Sequence, residues 1–151
     1  QKAMATALKF DMEEGTVILG ADTIVSFDNK ILGKPKNEED AVNTLSMLQG
    51  NTHQVYTGVT VMERKDSKWE TITFAECTDV SFYPVSEEEI RAYVATGEPM
   101  DKAGAYGIQG RASLFVSGIE GDYHSVVGLP LHAIYRALKE EFHFDFGGDE
   151  P

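Results

Sequence analysis

The sequence predicts an α/β fold, a mixed twisted sheet with flanking helices, and three observations lead there. "NEEDAVNTLSMLQG" and "SEEEIRAYVATG" carry capped, helix-period apolar patterns. Between them, Thr52 to Tyr83 holds two long β-rich runs around the polar turn "ERKDSK". A third amphipathic stretch, "LPLHAIYRALKEEF", follows a further strand-and-turn region. Strands interspersed with helices bury their apolar faces by layering helices on a sheet. The two long adjacent strands imply an antiparallel part.

The elements follow in order. "QKAMATALKF" opens the chain at Gln1 with a helical composition and no N-cap before it, as expected of a chain that has lost its true N-terminus. "TVILGAD" (Thr16–Asp22) reads as a buried strand that delivers a polar loop, and "TIVSFDNKIL" as a hairpin around Asp28 and Asn29. Asn37 caps the next helix, with acids in its first turn, apolar Ala41, Leu45 and Leu48 on one face, and Gly50 after its end. Ser86 and Glu89 form a capping box, and Gly97 follows that helix. "ASLFVSGIEGDYHSVVG" is expected to return to strands and turns. Pro130 is tolerated in the first turn of the last helix. Residues 1–146 form one expected domain, with 147–151 a loose polar tail.

The 151 residues suffice for one domain with a real core, and 42% apolar with 25% charged residues is the balance of a soluble globular protein. No apolar run reaches the roughly 18 residues of a membrane span. A net charge of −12 argues against nucleic acid or anionic lipid as a partner. It leaves room for a small anion held by a few lysines. The single cysteine, Cys77, is expected as a small buried strand residue, and with no intrachain disulfide a cytoplasmic setting is the default. The four histidines lack zinc-ligand spacing, and His132 and His143 are expected on a helix surface.

Common nucleotide motifs are absent. There is no G-x-x-x-x-G-K-[ST], and "EPMDKAGAYGIQG" spaces Gly104, Gly107 and Gly110 by three, ahead of a strand-like run. Three polar clusters remain. Asp22 and Thr23 follow an apolar strand. Lys34 lies in "LGKP", where Pro35 restricts its backbone. Asp101, Lys102 and Gln109 belong to the glycine-rich stretch. A carboxylate, two cations and a glycine-rich backbone are what phosphate chemistry requires: a site for a divalent metal or oriented water, and positive charge for phosphate oxygens.

"GADTIV", "LGKP", "VYTGV", "GEPMDKAGAYGIQG" and "GDYHSVVGLP" resemble, in order and spacing, the motifs of the Maf family of nucleoside triphosphate pyrophosphatases. The resemblance runs from Lys2 to about Leu138. It implies two lobes around a nucleotide cleft, similar to inosine triphosphate pyrophosphatases, often as a homodimer. It also implies cleavage of a nucleoside triphosphate to monophosphate and pyrophosphate with a divalent metal, Mg or Mn, in a house-cleaning role. By position, Asp22 matches the catalytic acid and a metal-holding role. Thr23 and Gln109 match base-preference positions, and Lys2, Lys34 and Lys102 match phosphate contacts. Gly-Ala-Asp-Thr with Tyr-Gly-Ile-Gln-Gly looks like the dTTP/UTP branch, whereas the 7-methyl-GTP branch tends to carry Gly-Ser-Asp-Gln. The family's Ser-x-Ser-Pro-Arg-Arg loop and first strand have no match in this sequence. Without those arginines, the alternative reading is a non-catalytic nucleotide-binding regulator of septum formation. The glycines are expected to let the "DKAGAYGIQG" backbone approach the nucleotide.

Overall fold

The structure, a computed structural model, describes residues 13–144. Strand β1 (Val17–Phe27) turns into β2 (Lys30–Leu32), and helix α1 (Glu38–Leu48) follows. The long pair β3 (Thr52–Lys65) and β4 (Lys68–Phe82) leads to α2 (Glu87–Ala95). Three short 3₁₀ turns, at Glu98–Asp101, Ala103–Ala105 and Arg111–Phe115, carry the chain to β5 (Val116–Glu120). Two helices, α3 (Tyr123–Val127) and α4 (Leu131–Glu140), follow. The strands form one sheet in the order β2-β1-β3-β4-β5. Where the sequence suggests a mixed sheet, every pairing among the described residues is antiparallel.

The connections explain this. β1–β2 and β3–β4 are joined by two-residue turns, Asp28-Asn29 and Asp66-Ser67, with all four residues at positive φ. Positive φ at both central positions is the type I′ geometry, whose twist matches that of paired strands. Helix ends are built as their sequences indicate. The Asn37 side chain accepts from the Asp40 N–H at 2.8 Å. Ser86 and Glu89 cap each other's backbones reciprocally. Gly97 takes φ 78 after α2.

One face of β3 supports two cores, because alternate residues of a strand share a face. Val55 packs with Val25, Val80 and Phe82 beneath α1 and α2, where Leu45, Leu48, Ile90 and Tyr93 are buried. Further along, Val59 and Val61 pack against Ile134 of α4 and Phe142. Each fully buried aliphatic or aromatic side chain here contributes about 1.5–3 kcal/mol.

Four expectations are corrected. β1 runs unbroken through Asp22, because ten consecutive residues from Val17 to Ser26 pair with β3; Asp22 therefore sits within a strand, not in a loop after one. "DYHSV" opens a short helix that strand-and-turn composition concealed; Asp122 caps it and Gly128 ends it, and five residues are too few to display a helical period. Cys77 does lie on β4 but is exposed. His132 is an exposed α4 residue, whereas His143 lies beyond the helix at φ 55.

His53 is fully buried among the rings of Phe82 and Tyr106. Its Nε2 lies 2.6 Å from the Tyr106 hydroxyl. Burial pushes its pKa down to about 4, against a smaller opposing pull from Asp79. The folded protein thus keeps His53 neutral while the unfolded chain protonates it near pH 6.5, so the unfolded state binds the extra proton in between. Stability from this group is lost as pH falls through that window, by at most about 1.4 kcal/mol per pH unit. In a His53→Gln variant the stability deficit relative to wild type should therefore shrink between pH 7 and pH 4, as followed by urea denaturation. A deficit constant with pH would contradict a neutral buried imidazole.

Candidate functional site

A cleft of about 1040 Å³ opens where β1, the loop after β2, the glycine-rich stretch and α3 meet. Asp22, Thr23, Lys34, Lys102 and Gln109 all line it. The structure thus gathers, in one concavity, five residues drawn from three separated segments. Lys2, the sixth expected site residue, lies outside the described residues.

Each element delivers its side chain for a local reason. Asp22 pairs directly with Gly58 of β3, and the space where a Gly58 side chain would stand is open. A glycine within a strand leaves such a gap because it has no side chain to pack. Thr23, the next residue, points to the other face, where it meets Thr57 with the two hydroxyl oxygens 2.9 Å apart. Lys34 follows Gly33, whose carbonyl accepts from the Gly104 N–H at 3.2 Å. That bond ties the Lys34 loop to the glycine-rich stretch carrying Lys102. The Asp101–Lys102 ion pair is long, 3.8 Å, and both partners are exposed; such a pair restrains the lysine little.

The glycines serve the protein's own side chains more than an approach to ligand. Gly104 has φ 72, and a Cβ there would stand 2.9 Å from Val25 Cγ1. At Gly110, a Cβ would overlap the Glu98 carboxylate, whose Oε2 accepts from the Arg111 N–H at 3.2 Å. The Gly107 N–H donates to the Tyr93 hydroxyl at 3.2 Å. Burial, more than any other effect, pushes that phenol up to about 12, so it stays protonated. Gln109 is therefore held between two backbone anchors. Glu98 and Tyr106 also line the cleft and were not singled out from the sequence. The only hint of Glu98 was its place at the head of the glycine-rich motif.

Among the described residues no group of three or more His, Cys, Asp or Glu side chains is arranged to cage a metal ion. Asp22 does supply a hard carboxylate oxygen. One carboxylate completed by substrate phosphates is how Mg²⁺ is commonly held, and the donor set fits that use.

Residues 1–141 match the family model described as Maf-like protein. The chain belongs to the Maf family. Two relatives, from Bacillus cytotoxicus and Bacillus mycoides, are each named dTTP/UTP pyrophosphatase. The first is 52% identical over 147 residues, covering 97% of this chain and 72% of the relative. The second is 54% identical over 140 residues, covering 93% and 70%. The chain thus shares about half its residues with proteins carrying that name.

Two glycine substitutions separate backbone strain from side-chain crowding. Gly104→Ala meets both a positive φ and the β1 side chain Val25, and should lower stability by about 2 kcal/mol. Gly110 has φ −97, and only the movable Glu98 carboxylate stands in the way. Gly110→Ala should cost less than about 1 kcal/mol. Equal losses in chemical denaturation would show that the Val25 contact does not constrain Gly104.

Proposed function

We propose that this protein hydrolyses dTTP and UTP to the nucleoside monophosphate and pyrophosphate. The observation that carries the reading is the convergence of Asp22, Thr23, Lys34, Lys102 and Gln109 on one cleft. The names of the relatives support the choice of substrate. The proposal extends to a homodimer in the cytoplasm; for the described residues, no helix is long and apolar enough to cross a membrane.

In this mechanism water attacks the α-phosphorus and pyrophosphate leaves. Carboxylates are weak bases at neutral pH. Asp22 acts by orienting the attacking water and accepting its proton as the P–O bond forms, and it is also the residue that would hold a divalent metal. When bound, that ion would supply Lewis-acid stabilisation of phosphate charge. Lys34 and Lys102 neutralise charge that grows on the leaving pyrophosphate. Interactions that strengthen in the transition state are the ones that accelerate a reaction. Gln109 offers a donor and an acceptor to the base edge.

Asp22→Asn should reduce pyrophosphate release at least about 100-fold while leaving the melting temperature near wild type, since the amide keeps the shape and loses the charge. Lys34→Ala and Lys102→Ala should each slow turnover about 10-fold or more with little effect on stability, because exposed lysines contribute little to folding. Wild-type turnover by a folded Asp22→Asn protein would overturn the assignment.

A nucleotide panel should show dTTP and UTP turned over faster than ATP and GTP. Gln109→Ala should narrow that preference more than it lowers total activity, because a site built to hydrogen-bond one base discriminates by leaving its polar groups unpaired with another. Equal rates for all four bases, or a preference for 7-methyl-GTP, would refute the base selectivity and leave the pyrophosphatase reading standing.

A further inference from the structure

We propose that Thr57 is a positioning residue that fixes the hydrogen-bonding polarity of Thr23, so that the cleft accepts a base presenting a ring N–H, uracil or thymine, and disfavours cytosine. The inference rests on the pyrimidine triphosphate reading above and adds the group that tells one pyrimidine from another.

The argument turns on one proton. Thr57 is fully buried on β3. Its hydroxyl lies 2.7 Å from the backbone carbonyl of Ser125, in α3, and a carbonyl can only accept. A threonine hydroxyl has a single hydrogen, and this contact uses it. The second contact, Thr23 Oγ1 to Thr57 Oγ1 at 2.9 Å, is geometrically possible in either direction. With the Thr57 hydrogen committed to Ser125, Thr23 has to be the donor. Its own hydrogen is then turned away from the ligand, and only lone pairs remain to face the cleft that it lines.

Rotation about the Thr23 side chain does not easily undo this polarity. Thr23 is β-branched and restricted at χ1. Its neighbour across the ladder is Thr57 itself, paired residue to residue in the β1–β3 register. Gly128 borders it, close enough that a side chain there would be in ordinary contact with Thr23 Oγ1. Reversing the chain of donors would set two lone-pair oxygens 2.7 Å apart at the Ser125 carbonyl, which would keep only its longer bond, 3.1 Å from the Gly128 N–H.

An acceptor-only hydroxyl selects its ligand. Uracil and thymine present a ring N–H between two carbonyls, and that N–H is a donor suited to Thr23. Cytosine presents a bare ring nitrogen at the same position, so two acceptors would face each other. Gln109, on the opposite wall, has both a donor and an acceptor and adapts to either base. Thr23 with Thr57 behind it is therefore the discriminating element.

The test compares kcat/KM for UTP and CTP within each enzyme, a ratio that cancels differences in folded fraction. Wild type should favour UTP. Thr57→Val keeps the branched shape and removes the relay, so the Thr23 hydroxyl regains freedom to donate, and the UTP-over-CTP ratio should fall about five-fold or more. The fall should come from improved CTP turnover as well as weaker UTP turnover. Thr57→Ser retains the hydroxyl and should restore most of the wild-type ratio. Wild-type enzyme that cleaves CTP as well as UTP overturns the proposal without recourse to any variant. An unchanged ratio in Thr57→Val overturns it, as does a Thr57→Ser enzyme as indiscriminate as Thr57→Val, which would assign the effect to packing. Absence of pyrophosphate release from UTP and dTTP in the wild type would instead overturn the pyrophosphatase reading itself.

Discussion

Strand β3 is paired on both sides, with β1 from His-adjacent Gln54 to Glu63 and with β4 from Thr52 to Lys65. That double ladder is the constraint on which the cleft depends. Register in a sheet moves in steps that flip every side chain to the opposite face. With β3 fixed between two partners, Asp22 must lie opposite Gly58, and Thr23 opposite Thr57. The catalytic candidate and the base-recognition candidate are thereby assigned to opposite faces of one strand, although adjacent in sequence. The buried Val55, Val59 and Val61 hold the register, since a one-residue slip would expose them.

The midpoint of β3 is also where its two hydrophobic cores meet. Val55 belongs to the core beneath α1 and α2, and Val59 to the one against α4. Thr57 occupies the position between them. A hydroxyl buried at such a junction must be satisfied, and Thr57 meets that demand through Ser125 and Thr23. The same bonds connect β1, β3 and α3, three elements that line or border the cleft. Structural satisfaction of a buried polar group and definition of the site are one arrangement.

The wall opposite β1 is held differently, by packing of backbone against side chains. Gly104 lets the chain press onto Val25, and its N–H reaches the Gly33 carbonyl. Tyr93 and Glu98 then grip the backbone on either side of Gln109. Lys34 and Lys102 line the same cleft, and the backbone bond between Gly33 and Gly104 ties their loops together. A protein of net charge −12 thus brings two lysines into one cleft beside the carboxylates of Asp22, Glu98 and Asp101; local placement matters more than the total, since distant surface charges are screened by salt.

The sequence by itself determined the local features. Asn37, Ser86 with Glu89, Gly50 and Gly97 marked helix ends by hydrogen-bonding and φ requirements that depend only on near neighbours. Asp28-Asn29 marked a hairpin for the same reason. Asp22, Thr23, Lys34, Lys102 and Gln109 were legible as chemistry-bearing residues through their types and their match to Maf motifs. Only the tertiary structure decided what lies opposite what. The continuity of β1 through Gly20-Ala21-Asp22 depends on ten pairings to β3, which outweigh the weak strand propensity of those residues. α3 is a helix too short to show a period. Thr57 in "VYTGV" is one threonine among several, and its partners Thr23 and Ser125 are 34 and 68 residues away. Hydrogen-bond polarity across such distances is set by three-dimensional register, which no local pattern encodes.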